Sequence, residues 1–161
     1  MIQIRRINRG EWEVYRNLRL QALKDSPAAF GSTYGEAIRR SPKSWQEQAD
    51  SAAVGSERCT VVAFSEDVPI GMACVYKCGG SEEEADLLQV WVAPEFRGSG
   101  AAVSVIDELV AWCEQNGVMR IYAGVIESNR RVLSFYRRLG YEQTDLREYS
   151  EDVYATLVKV L

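Results

Sequence analysis

Leu88-Gln89-Val90-Trp91-Val92-Ala93-Pro94-Glu95-Phe96-Arg97-Gly98-Ser99-Gly100-Ala101-Ala102 is the most informative stretch of the chain. Its first half is apolar and β-prone and ends at a proline, which predicts a strand over residues 85–92 closed by Pro94. Beyond Ala102, Val103, Ile106, Val110 and Cys113 recur at helical spacing, and Asn116-Gly117 supplies a stop. The glycines between strand and helix allow a tight turn and close approach of a ligand to the backbone. The first turn of the helix carries N–H groups with no partner inside the helix, and the helix dipole adds positive potential there. Arg97 adds a fixed charge. This combination suits a pyrophosphate, although a lone Gly-x-Gly before a helix serves equally as a plain structural turn. Other phosphate motifs fit worse. No Lys-Ser or Lys-Thr follows the glycines, so there is no P-loop. A dinucleotide fingerprint would place an acid on the next strand, residues 120–126, yet no acid occurs there before Glu127.

The second informative stretch runs from Val125 to Tyr141. Asn129 and Tyr136 lie about two helical turns apart and so face one side of a helix predicted over residues 129–139, which Gly140 stops. Phe135 and Leu139 fall on the neighbouring apolar stripe. Taken alone, this pair also fits an N-cap Asn and an interfacial Tyr.

Working outward, residues 2–7 read as a strand. Residues 11–24 read as an amphipathic helix with Trp12, Tyr15, Leu18 and Ala22 on one face, stopped by Ser26-Pro27. Residues 28–40 are ambiguous and have room for one helical turn. Ser41-Pro42 reads as an N-cap followed by a first-turn proline, opening a helix over 42–53 that buries Trp45, Ala49 and Ala52. Residues 59–64 and 69–76 form a hairpin around Ser65-Glu66-Asp67. The last two strands are placed at 141–146 and 153–160. Two strand–helix–strand passages imply a locally parallel centre, and the hairpins imply antiparallel flanks. The expected fold is therefore a mixed α/β (α+β) domain spanning 1–161, with a mostly antiparallel sheet of six to seven strands and helices on both faces.

Composition limits the chemistry. The 161 residues are 47% hydrophobic and 26% charged, ordinary for one globular domain. There is no histidine, which removes Ser-His-Asp and Cys-His mechanisms and His-ligated metals; proton transfer falls to a carboxylate, Tyr, Lys, Cys or water. The formal charge of −4 disfavours nucleic acid, whose binding rests on phosphate neutralisation. Cys74 and Cys78 have the spacing of a ligand pair, but no second pair completes a site. Together with Cys59 and Cys113 they read as buried, reduced thiols, and no metal is expected. Met1 to Arg6 has no apolar signal-peptide core and no apolar run approaches membrane-spanning length, so a cytoplasmic protein is expected.

The two stretches together resemble the GNAT superfamily of acyl-CoA-dependent N-acetyltransferases. Arg97-Gly98-Ser99-Gly100-Ala101-Ala102 is similar to that family's [QR]xxGx[GA] loop, with Ala102 in the last slot where Gly is more usual. Val90 to Pro94 resembles the strand that enters the loop. Asn129 to Tyr136, with Leu139-Gly140-Tyr141, resembles the Asn…Tyr…Leu-Gly-Phe/Tyr signature. Leu18-Arg19-Leu20-Gln21-Ala22-Leu23 with Pro27-Ala28-Ala29-Phe30-Gly31 looks like segments of many bacterial members, but carries no substrate with it. The resemblance implies a splayed parallel centre and acetyl-CoA as co-substrate. Backbone groups of Val90, Trp91 and Val92 would pair with the pantetheine arm. Residues 97–102 would hold the pyrophosphate, and Asn129 would bond the pantetheine. Tyr136 would protonate the departing thiolate, and an N–H near Val92 would stabilise the oxyanion.

For the base, period-two alternation places Asp86 and Glu84 on one strand face together with Val90 and Val92. Asp86 aligns with a frequent catalytic Glu of the family; the alternative site, five residues before Asn129, is Gly124. Asp86 also reads as a solvated strand-end charge, and bulk water alone could serve. The expected acceptor is a small-molecule amine, with a protein N-terminus or lysine as the alternative. A non-catalytic acyl-CoA-binding domain is the third reading, which intact Asn129 and Tyr136 disfavour. A homodimer is compatible with the family.

Overall fold

The computed structural model describes residues 1–77, 81–146 and 154–161. The chain runs β1 (Ile2–Arg6), α1 (Trp12–Asp25), α2 (Tyr34–Ile38), α3 (Pro42–Ala53), β2 (Arg58–Ser65), β3 (Val68–Lys77), β4 (Glu84–Val92), α4 (Ala101–Gln115), β5 (Arg120–Ile126), α5 (Arg130–Arg138), β6 (Glu142–Gln143) and β7 (Tyr154–Val160). Short 3₁₀ turns at Pro27–Ala29 and Pro94–Phe96 follow α1 and β4. The strands make one seven-stranded sheet in the order β1-β2-β3-β4-β5-β7-β6. Only β4 and β5 pair parallel among the described neighbours; the rest are antiparallel. The mixed sheet read from the sequence is what the chain forms.

Local chemistry accounts for the elements. The Ser41 hydroxyl accepts from the Ser44 N–H and Pro42 takes the first helical position, so α3 starts where the sequence placed it. The β2–β3 hairpin turns through Glu66 and Asp67, both at positive φ, the pairing of a type I′ turn. Two cores form, one on each face. On one, α1 and α3 cover Met72, Cys74 and Trp91 with Tyr15, Leu18, Leu23 and Trp45; on the other, α4 and α5 cover Ala73, Val75, Ala85, Leu87 and Val92.

Three expectations change. The buried stripe of α4 is Ala101, Val105, Ile106, Leu109, Trp112 and Cys113, not one through Val103 and Val110. Trp112 is the bulkiest side chain of that helix, and its burial rotates the stripe. The second strand–helix–strand passage does not make neighbours, because β7 lies between β5 and β6. The strand expected at 141–146 shrinks to Glu142–Gln143. Cys78 and Val153 lie outside the described residues. Among the described residues, no helix is long and apolar enough to cross a membrane.

Candidate active site

The site begins where the parallel pair ends. β4 and β5 pair only through Glu84–Arg120, Ala85–Ile121 and Asp86–Tyr122. Beyond Asp86 the two strands diverge, so the edge of β4 from Leu87 to Val92 faces a gap. Backbone groups on such an edge need partners, and an extended arm such as pantetheine can supply them.

A bulge shapes that edge. Met72 lies opposite Trp91 while Cys74 lies opposite Leu88, so β4 carries one extra residue against β3. Gln89 absorbs it at φ +58. Its Oε1 accepts from the Tyr15 hydroxyl at 2.8 Å and from the Cys74 thiol at 3.3 Å. Gly71, across from Val92, permits the approach: a Cβ there would lie 2.9 Å from the Trp91 carbonyl oxygen. The bulge overturns the alternation argument for the base. Val92 joins Ala85 and Leu87 on the α4 face, whereas Trp91 turns to the α1 face. Asp86, opposite Tyr76, shares the α1 face with Cys74. Asp86 and Val92 therefore point to opposite sides of the sheet. Glu84 lies one pleat lower, ion-paired with Arg120 at 3.6 Å.

At the other end of the gap, Gly98 and Gly100 sit at φ +84 and +87, a backbone that L-side chains rarely adopt. Gly100 is the N-cap of α4 and offers no side chain to its first turn. Nothing lies within 4 Å of where a Cβ of either glycine would be. The loop leaves open space at a positive helix end, which fits a pyrophosphate, while its Arg97 and Ser99 N–H groups already bond the Pro94 and Phe96 carbonyls. Within it, the Ser99 hydroxyl lies 3.4 Å from the Ala101 N–H, and Ala102 packs against the α4-side core.

Arg97 does not point its guanidinium freely at this cradle. Its Nε donates to the Val92 carbonyl at 3.1 Å and one terminal nitrogen donates to Asp25 at 2.6 Å. Asp25 Oδ2 also accepts from Trp91 Nε1 at 3.0 Å and from the Ser26 hydroxyl at 2.8 Å. Those bonds, Trp91's foremost, lower the Asp25 carboxyl from its ordinary 3.8 to about 2. Asp25 thus ties the end of α1 to both the strand and the loop. Sequence reading missed it, and a partnership 72 residues apart leaves no local signal. It also missed Gln89, which reads as one more alternating position.

On the α4 side, Tyr136 is buried in the core with Val92, Val125 and Leu133, with edge-on contacts to Phe135 and Tyr141. Asn129 caps α5, its Oδ1 accepting from the Val132 N–H at 3.2 Å. The structural cap leaves the carboxamide NH₂ as the part suited to a ligand. The thiols of Cys59, Cys74 and Cys113 are buried. Burial pushes them up to about 12, 11 and 12 respectively, which suppresses the thiolate a nucleophile needs.

Comparison with known proteins gives the family and supports the fold. The profile of the acetyltransferase (GNAT) family matches residues 20–141, and the chain belongs to that family. An uncharacterized N-acetyltransferase of Mycobacterium bovis is 26% identical over 70 residues, which are 44% of this chain and 45% of that protein. YobR, an uncharacterized N-acetyltransferase of Bacillus subtilis, is 33% identical over 63 residues, 39% of this chain and 26% of its own length. The matched stretches thus span less than half of these curated relatives. Among solved structures, a GNAT-family acetyltransferase of Streptococcus pneumoniae has a TM-score of 0.79 at 13% identity, with both chains fully covered. The PaiA N-acetyltransferase of Thermoplasma acidophilum, in complex with coenzyme A, has a TM-score of 0.76 at 17% identity over 100% of this chain and 99% of that one.

Proposed function

We propose that this chain is a cytoplasmic N-acetyltransferase domain that moves the acetyl group of acetyl-CoA directly to the amine of a small molecule in a ternary complex. The observation that carries the reading is the continuous feature running from the β4–β5 splay to the glycine-capped start of α4. One end accepts an extended arm and the other accepts a pyrophosphate. Backbone groups of Val90 to Val92 hold the arm with help from the Asn129 carboxamide, and the turn from Gly98 to Ala102 holds the phosphates, with Arg97 bracing it through Val92 and Asp25. The amine approaches on the α1 face, where Asp86 at the base of the splay draws off its proton through water. The nitrogen attacks the thioester carbonyl carbon, and an N–H near Val92 stabilises the oxyanion. The nitrogen then gives its second proton to water, the C–S bond breaks, and Tyr136, on the opposite face, gives its proton to the thiolate. Acid and base on opposite sides of the sheet keep the two proton transfers apart. Raised thiol pKa values favour direct attack over an acyl-cysteine route.

Thermal denaturation with acetyl-CoA tests the cofactor site, since a ligand that binds only the folded state raises Tm. Gly100→Asp puts a carboxylate at the cradle and is expected to remove the shift from a folded protein. A preserved shift in Gly100→Asp contradicts the site.

A further inference from the structure

Arg19 breaks the rule that buried charges are paired. It is 7% exposed, on the buried stripe of α1 with Tyr15, Leu18, Ala22 and Leu23. Its Nη1 is fully buried and has no hydrogen-bond partner. Its one described contact of note is with the Phe30 ring, whose centroid lies 4.8 Å from the guanidinium carbon. A cation–π contact offsets part of the desolvation cost but satisfies no N–H. Burial also pushes the guanidinium below its ordinary pKa, although Arg stays charged. Proteins keep such exceptions mainly at functional sites.

The position fits that reading. Helix α1 is pinned to β4 at two points, by Tyr15 on Gln89 and by Asp25 on Trp91. Arg19 lies between those points along α1, near Cys74 and Tyr76 of β3, and Tyr76 lies opposite Asp86 on the same face. The guanidinium of Arg40, also on this side, donates from Nε and one terminal nitrogen to Ser44, at 3.0 and 3.2 Å, and stacks on Trp45. A guanidinium with an unpartnered Nη1 matches one carboxylate in charge.

We infer that the acceptor of this enzyme is an amine that carries a carboxylate, and that Arg19 binds that carboxylate in the acceptor site. The inference rests on the acetyltransferase reading and extends it to substrate class. A free α-amino acid, with amine and carboxylate a few bonds apart, is the simplest member of that class.

The test measures thiol release from acetyl-CoA with free amino acids, the matching amino-acid carboxamides and aminoalkyl phosphonates. Amino acids are expected to exceed their carboxamides in kcat/KM by roughly 10–10²-fold, the discrimination that a charged hydrogen-bond pair supplies. Arg19→Met should collapse that ratio toward one, and Arg19→Lys should leave an intermediate ratio. Ligand-free Arg19→Met should melt at or above the wild-type temperature, because it replaces a buried, unsatisfied charge by an apolar chain of similar length. No preference for carboxylates, a preference for phosphonates, or a ratio unchanged in Arg19→Met would overturn the inference. So would a clear fall in the melting temperature of Arg19→Met, which would make Arg19 a structural residue. If acetyl-CoA itself fails to raise the wild-type melting temperature, the cofactor reading beneath the inference is what fails.

Discussion

Asp86 and Glu84 are two residues apart on one strand face, yet only Asp86 stands at the last paired position before the splay, and Glu84 is engaged with Arg120. Asp86→Asn is therefore expected to lower kcat/KM and move the rising limb of its pH profile upward, because the amine must then be found already neutral. Glu84→Gln should change kcat/KM by no more than a few-fold. Equal, small effects of both would remove Asp86 from the chemistry. Asp25 has a different pH signature. Its carboxyl is depressed in the folded state, so its contribution is present above the ordinary value of 3.8 and lost as pH falls toward about 2. The gap in melting temperature between wild type and Asp25→Asn should be full at pH 5 and above and close between pH 4 and 2. A gap that ignores pH would mean that Asp25 acts through shape alone. Of these residues, Arg97, Asn129 and Tyr136 stand out in the sequence because each lies in a spaced motif, and Asp86 because it aligns with a family position. Asp25 was hidden because its partners are remote. Arg19 was not legible: an arginine one turn after Tyr15 carries no local signal of burial without a partner.

At the scale of elements, helix α3 and strand β5 begin and end where the sequence placed them. Ser41-Pro42 fixes the start of α3 by capping chemistry, and the strand over 120–126 lies between the Asn116-Gly117 stop and the Asn129 cap. The bulge in β4 was not legible, because its positive-φ position is held by Gln89 rather than by glycine. What keeps Gln89 there is tertiary: bonds from Tyr15 and Cys74, and the space left by Gly71. One missed residue moved Val92 to the other face, the register hazard of any period-two pattern. Gly71→Ala tests the bulge. Its new Cβ would meet the Trp91 carbonyl, so urea unfolding should report a loss of about 1–3 kcal/mol, the usual cost of overpacking. The acetyl-CoA melting shift should shrink as the β4 edge moves. Wild-type stability and an unchanged shift would mean that β4 adapts without the glycine.

For the whole molecule, the proposed mechanism divides over the sheet: Tyr136, its thiolate acid, lies on the α4 face, and Asp86 and Arg19, its amine side, lie on the α1 face. Nothing in this division needs a cysteine. Native protein treated with iodoacetamide should show no label at Cys59, Cys74 or Cys113 by mass spectrometry and should keep its activity. Rapid labelling of one of them with loss of turnover would point to an acyl-enzyme. The most direct test of the account is the rate of free-thiol release from acetyl-CoA over an amine panel and a peptide panel, for wild type and Tyr136→Phe. The account predicts release that depends on a small amine and appears as the acetylated amine by mass. It also predicts that kcat falls about 10²–10⁴-fold in Tyr136→Phe while the acetyl-CoA melting shift persists. Acetyl-CoA binding without amine-dependent release, or Tyr136→Phe turning over within a few-fold of wild type, would contradict it.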